Sequence, residues 1–254
     1  MKVILLAAGY ATRLYPLTLD CPKPLLPIAG RPMLDYILDA LAPIEGIDEV
    51  IVVTNNKFYS HFEEWARKSP FRFGDKPITV IDDRTTNDAN KRGAVGDIHY
   101  ALAQKKIHDD IMVLAGDNLF EKDLKDFGDY CRGLESPVLG IYDVGDLELV
   151  KKYSSVGVDS EGKVISFQEK PARPVSTWSG IALYYYPKGM LHMIDRYIGE
   201  GNNTDQPGNL MAWIYSRVPV YTWKVKGLWY DIGSKEALEK ANQVFSKLKE
   251  RGSL

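Results

Sequence analysis

The sequence predicts an α/β fold: a three-layer sandwich whose central sheet is mixed but mostly parallel, with helices on both faces. Three observations predict it. Over residues 2–116 short apolar runs alternate with segments of helical periodicity, the pattern of parallel strands joined by crossover helices. The first run, Val3-Ile4-Leu5-Leu6-Ala7-Ala8, is continuously apolar, as suits a strand covered on both faces. Beyond residue 136 the strand-like runs follow one another closely, which predicts a mixed sheet there.

In chain order, Gly9 ends the first strand. Pro32 then opens a helix with Met33, Leu34, Ile37, Leu38 and Leu41 on one face; proline is tolerated in a first turn, where the N–H it lacks would have no helical partner. Val50 to Val53 reads as a strand, Phe58 to Lys68 as a helix, Ile78 to Ile81 as a strand, Gly93 to Lys105 as a helix and Ile111 to Leu114 as a strand. Strand-like runs follow at Val138 to Val144, Val156 to Val158, Val164 to Phe167 and Ile181 to Tyr186. Gly208 to Arg217 reads as a helix and Val218 to Val225 as a strand. A last helix carries Ala237, Leu238, Ala241, Val244, Phe245 and Leu248 at helical spacing, and the tail Lys247 to Leu254 is expected to fray. No repeat and no Gly, Ser or Pro-rich linker interrupts the chain, so a single domain over 1–254 is expected, with halves 1–135 and 136–233 and a closing helix over 234–254.

With 254 residues, 45% of them hydrophobic and 26% charged, the chain can bury one large core and has the composition of a soluble globular protein. No stretch approaches the ~20 consecutive apolar residues of a membrane span, so no membrane partner is expected. A formal net charge of −2 argues against nucleic acid as a partner, because domains that bind it in bulk are strongly basic. Any polyanion bound is therefore small. Met1-Lys2 leads straight into the first strand, which predicts no signal peptide, and two cysteines, Cys21 and Cys131, build no disulfide framework. Together these predict a reducing, cytoplasmic setting. His61, His99, His108 and His192 show no metal-ligand spacing.

The stretch Leu5 to Ile28 carries most of the chemistry. In open α/β sheets ligands sit beyond the carboxyl ends of the strands, which is where Gly9 and, after a later strand, Asp117 fall. Gly9 leaves room for a phosphate to approach backbone, while Thr12, Arg13 and Lys23 offer a hydroxyl, a planar guanidinium and a compact ammonium. Pro16, Pro22 and Pro24 stiffen the loop around Lys23. No G-x-x-x-x-G-K-[ST] occurs, and Ala11 and Leu14 stand where a dinucleotide fingerprint needs glycine, so both of those nucleotide motifs are excluded. Asp117, in Ala115-Gly116-Asp117-Asn118, and Asp231, in Trp229-Tyr230-Asp231-Ile232-Gly233-Ser234, suggest a hard cation. Mg²⁺ is commonly held by one or two carboxylates together with substrate phosphates, which makes it the expected cofactor.

In residue order, Leu6-Ala7-Ala8-Gly9-Tyr10-Ala11-Thr12-Arg13-Leu14-Tyr15-Pro16-Leu17-Thr18 and Pro22-Lys23-Pro24-Leu25-Leu26-Pro27-Ile28 resemble the signature L-A-A-G-x-G-T-R-L-x-P-L-T…P-K-P-L-L-P-I of the sugar-phosphate nucleotidyltransferases, typified by glucose-1-phosphate thymidylyltransferase and its uridylyl and guanylyl relatives. Gly93-Ala94, Gly116-Asp117-Asn118, Glu169-Lys170-Pro171, Ser179-Gly180-Ile181 and Trp229-Tyr230-Asp231-Ile232-Gly233 follow in the family's order, so the likeness covers Met1 to about Ser246. What it implies is a Rossmann-like fold of the nucleotide-diphospho-sugar transferase type, with 1–135 as the nucleotide-binding half and 136–233 as a β-rich acceptor half. It also implies attack by the phosphate of a sugar 1-phosphate on the α-phosphorus of a nucleoside triphosphate, giving a nucleotide-sugar and pyrophosphate.

By that resemblance Arg13, Lys23 and Asp117 are catalytic. Leu6, Ala8, Gly9, Thr12, Arg13, Asp88, Gly93 and Asp117 line the nucleotide; Lys23, Ser154, Glu169, Lys170, Trp178 and Gly180 meet the acceptor; Asp117 and Asp231 carry Mg²⁺. A homo-oligomer is compatible with it. Plainer readings compete: Asp231 could cap the last helix, Glu169-Lys170 could be a solvated strand end, Gly93 and Gly180 could serve packing, and Trp178 and Trp229 could be core.

Three departures from the family pattern bear in turn on the loop geometry, the acceptor and the base, and leave the last two open. Ala11 replaces the second glycine, Ser154 stands where Y-G-V-V has glycine, and Asp88 to Ala94 lacks the glutamine that reads a pyrimidine. Two alternatives stay open. One is cytidylyl transfer to a phosphorylated amino alcohol such as phosphocholine, whose ammonium Trp178 could face. The other is a non-catalytic nucleotide-sensing subunit of the same fold.

Overall fold

The computed structural model describes residues 1–71, 73 and 77–251. In order, the elements are β1 (Lys2–Leu6), β2 (Pro27–Ile28), β3 (Arg31–Pro32), α1 (Met33–Leu41), β4 (Glu49–Thr54), α2 (Tyr59–Lys68), β5 (Thr79–Asp82), α3 (Ala94–Lys105), β6 (Ile111–Ala115), β7 (Asn118–Phe120) and α4 (Lys125–Cys131). They continue with β8 (Val138–Asp143), α5 (Leu147–Val150), β9 (Ser154–Val158), β10 (Val164–Glu169), β11 (Trp178–Tyr186), α6 (His192–Gly199), α7 (Pro207–Tyr215), β12 (Tyr221–Lys224), β13 (Trp229–Asp231) and α8 (Lys235–Glu250). The alternation expected over 2–116 is present. The helix α8 runs through Glu250, so the expected fraying does not begin at Lys247; residues 252–254 of that expected tail lie outside the described residues.

Among the described residues the main sheet has seven strands in the order β12-β8-β11-β6-β1-β4-β5. Its mixed character comes from β11, which pairs antiparallel with both β6 and β8; β4 with β5 and β12 with β8 are parallel. The N–H of Lys2 bonds Asp110 O and the N–H of Gly116 bonds Leu6 O, each at 2.9 Å, so β1 and β6 advance in the same direction. Every residue of β4 is buried, as a strand covered on both faces requires. The runs β9 and β10 do not join this sheet; they pair with each other as an antiparallel ribbon.

By packing, the chain forms two compact units. The first unit comprises Leu5–Lys91, Ala115–Gly128 and the chain from Lys226 onward; the second comprises Met1–Ile4, Arg92–Leu114 and Asp129–Val225. In the first unit α8 returns to cover the loop after β1: Ala241 and Phe245 are fully buried in a cluster with Leu14, Leu26, Ile28, Met33, Tyr36, Leu119 and Ile232. Phe245 meets Tyr36 edge to face at 5.1 Å. The apolar stripe of the last helix is thus core. The elements β2, β3, α4, α5, α6, β7 and β13 had no counterpart in the sequence reading; β7 and β13 are three residues each and pair with one another.

Candidate active site

In the first unit, the loop after β1 is held from beneath. Ala8 O accepts from Asn55 Nδ2 at 2.9 Å, and buried Tyr10 places its hydroxyl 3.5 Å from Thr85 Oγ1. Ala11 takes left-handed backbone angles, φ 48° and ψ 43°, which explains a glycine in the family signature at this position. Its carbonyl accepts from buried Thr18 Oγ1 at 2.8 Å and from the N–H of Leu14 at 3.0 Å, so two bonds hold the strained residue in place. Residues Thr12–Leu14 make a short 3-10 turn in which Leu14 is the buried anchor and Thr12 and Arg13 are exposed. A side chain at Gly9 would meet nothing within 4 Å, so packing does not demand glycine there.

Lys23 begins a second 3-10 turn, set between Pro22 and Pro24. Its ammonium donates to the Asp117 carboxylate in an ion pair, and to Ile232 O at 3.0 Å. Gly116 makes the approach feasible: a β-carbon there would lie 3.0 Å from Pro24 Cγ and 3.1 Å from Leu6 O. Asp231 ends β13, which pairs antiparallel with β7 so that Asp231 stands opposite Asn118. The N–H of Ile232 bonds Asp117 O at 3.1 Å, and Trp229 Nε1 bonds Asn118 Oδ1 at 3.2 Å, which gives Trp229 a structural duty. Among the described residues no group of three or more His, Cys, Asp or Glu gathers as a metal cage. Asp117, ion-paired with Lys23, and Asp231, at the end of the short ribbon that β13 makes with β7, are hard oxygen donors of the kind Mg²⁺ takes beside phosphate oxygens. Asp88 lies elsewhere, exposed on a turn capped by Asn87, with Lys91 Nζ at 3.5 Å.

In the second unit, Glu169 ends β10, and Lys170 follows with φ 44° and its N–H bonded to Tyr153 O at 2.7 Å. Burial pushes the Glu169 carboxyl above its ordinary range, with Lys170 pulling the other way. Ser154 pairs with Glu169 across the ribbon, yet its buried hydroxyl turns inward and donates to Gly180 O at 3.0 Å. A β-carbon at Gly180 would lie 2.9 Å from that hydroxyl and 3.1 Å from Phe167, so Gly180 is a close-packed position. Ser155, fully buried, accepts from the N–H groups of Val175 and Ser176 at 3.1 Å and donates to Ser176 O at 3.2 Å, tying down the loop before β11. Trp178 carries the Lys224 ammonium 4.8 Å from its ring centroid. Gly93, φ 77°, opens α3; a β-carbon there would lie 2.5 Å from Thr204 O, which instead accepts from the N–H of Val95 at 2.9 Å.

The structure thus gathers Lys23, Asp117 and Asp231 in one unit and Ser154, Glu169, Lys170, Trp178 and Gly180 in the other. Tyr10, Asn55, Thr85, Ser155 and Lys224 escaped the sequence reading. Each makes a contact with residues distant in sequence, which nothing local signals.

The chain belongs to the nucleotidyl transferase family, whose profile matches residues 2–247. It is similar to the UTP–glucose-1-phosphate uridylyltransferase of Synechocystis sp., 30% identical over 242 residues that make up 92% of this chain and 60% of that protein. It is also similar to the bifunctional protein GlmU of Methanocaldococcus jannaschii, 26% identical over 247 residues, 96% of this chain and 54% of that protein. The chain therefore spans somewhat more than half the length of these relatives. A solved UDP-glucose pyrophosphorylase, complexed with UDP-glucose, shares the fold with a TM-score of 0.80 at 22% identity over 97% of this chain and 98% of that one. No helix among the described residues is long and apolar enough to cross a membrane.

Proposed function

We propose that this chain is a cytoplasmic, Mg²⁺-dependent nucleotidyltransferase that joins a nucleoside triphosphate and a sugar 1-phosphate. The observation that carries the reading is Lys23 held between the Asp117 carboxylate and Ile232 O at the end of a signature loop that departs from the family pattern only at Ala11. A phosphate oxygen of the acceptor attacks the α-phosphorus; the bond from that phosphorus to its bridging oxygen breaks, and pyrophosphate leaves with the electron pair. Arg13, exposed on its anchored turn, grips the triphosphate, and Lys23 bonds the α-phosphate oxygens. Asp117 and Asp231 hold the metal ion, which when bound neutralises phosphate charge. Lys170 takes the phosphate of the acceptor and Glu169 its hydroxyls. Such chemistry rests on positioning and preorganised charge, so no covalent intermediate is needed.

Lys224 over Trp178 weighs against a phosphorylated amino alcohol, because a quaternary ammonium would have to displace the protein's own cation from that ring face. The test is a screen of the common nucleoside triphosphates against a panel of sugar 1-phosphates and phosphocholine, reading Mg²⁺-dependent pyrophosphate release. Release with a sugar 1-phosphate is expected, and the productive pair names base and sugar. Release with phosphocholine alone overturns the acceptor, and no release with any pair favours a sensing role.

A further inference from the structure

We infer that Gly208 is a positioning residue for Glu169: the missing side chain at the second residue of α7 is what lets the Glu169 carboxylate rest against the start of that helix. The inference rests on the reading of Glu169 as an acceptor-binding group. A β-carbon at Gly208 would lie 1.9 Å from Glu169 Oε2 and 2.8 Å from Cδ, with Phe167 Cζ at 3.4 Å. Non-bonded atoms do not adopt the first two distances. Conformational freedom is not what the position uses, because Gly208 is a buried, helical residue without positive φ. In a helix alanine is the better former, so glycine here sacrifices propensity for space.

Glu169 cannot yield by moving its backbone, since the residue is paired with Ser154 in the ribbon and the next N–H is bonded to Tyr153 O. Only rotation of its side chain could relieve a clash, and that would carry the carboxylate away from its place. Gly208 thus acts on the acceptor only through Glu169.

The experiment is a double-mutant cycle in the full chain with Gly208→Ala, Glu169→Ala and both together, reading KM for the acceptor and for the nucleotide, and Tm. Gly208→Ala is expected to raise the acceptor KM by about tenfold while moving the nucleotide KM less than about twofold, and in the Glu169→Ala background to move the acceptor KM less than about twofold. In Tm, where alanine's helix preference stabilises, the gain should be smaller when Glu169 is present than in the Glu169→Ala background. Equal effects in both backgrounds overturn the inference. Should Gly208→Ala fail to fold alone but fold together with Glu169→Ala, the inference stands; should neither fold, the glycine serves another contact and the inference falls. A wild-type protein inactive with every sugar 1-phosphate removes the functional reading instead, while the Tm cycle still decides whether Gly208 makes room for Glu169.

Discussion

Lys23 and Asp117 are ion-paired across 94 residues of sequence, with side chains only 17% and 23% exposed. The pair orients both groups before any substrate arrives. Removing the carboxylate leaves Lys23 with the Ile232 carbonyl as its anchor. Asp117→Ala should therefore cut Mg²⁺-dependent pyrophosphate release by about 10²–10³-fold. It should also cost about 1–3 kcal/mol of stability through the half-buried ammonium it strands. Steady-state assay and thermal melting check both parts; unchanged turnover in a folded variant would sink the catalytic role of Asp117.

Lys170 separates two effects. As a ligand of the acceptor phosphate it should raise the acceptor KM by about 10–100-fold on change to Ala, the span expected for one charge-assisted hydrogen bond, with the nucleotide KM moving far less. Its backbone, at φ 44°, should gain from glycine. Lys170→Gly is thus expected to lose acceptor affinity and raise Tm together. Equal shifts in both KM values would remove its proposed role.

Ala11→Gly restores the residue that left-handed backbone prefers. The relief of about 1–2 kcal/mol is partly offset by the freer unfolded chain, for a net gain of about 0.5–1 kcal/mol. Chemical denaturation would show it, and a loss of stability instead would mean that the methyl group contributes packing there.

Glu169 makes stability depend on pH in a stated direction. Burial raises its carboxyl pKa, so between the unfolded and folded values the native state binds more protons than the unfolded chain, and stability falls as pH rises through that window. Glu169→Gln removes the charge and keeps the shape. It should raise Tm at pH 7 and make little difference at or below about pH 4, where the wild-type carboxyl is protonated in both states. A Tm difference independent of pH would contradict this.

Much of the fold was legible because periodicity is local. The apolar run of β1, the helical stripe of α1 and the alternation through β6 all follow from side chains within a few residues of each other. The loop's stiffness and basic character were legible for the same reason, since proline acts on its own backbone and its immediate neighbour. The departure at Ala11 was visible too, though not that it adopts the angle glycine would have taken.

The sequence by itself determined the alternation of strands and helices over 2–116, the stiff, basic character of the loop from Gly9 to Lys23 and the place of Asp117 and Asp231 among the motifs of the family. Only the tertiary structure decided which groups meet: Lys23 with Asp117 and Ile232 O, Asp231 opposite Asn118, Ser154 turned onto Gly180, and Gly208 cleared for the Glu169 carboxylate. The reason is physical. Strand pairing and close packing join residues far apart along the chain, and a one-residue slip in a strand would turn Ser154, Glu169 or Asp231 to the opposite face.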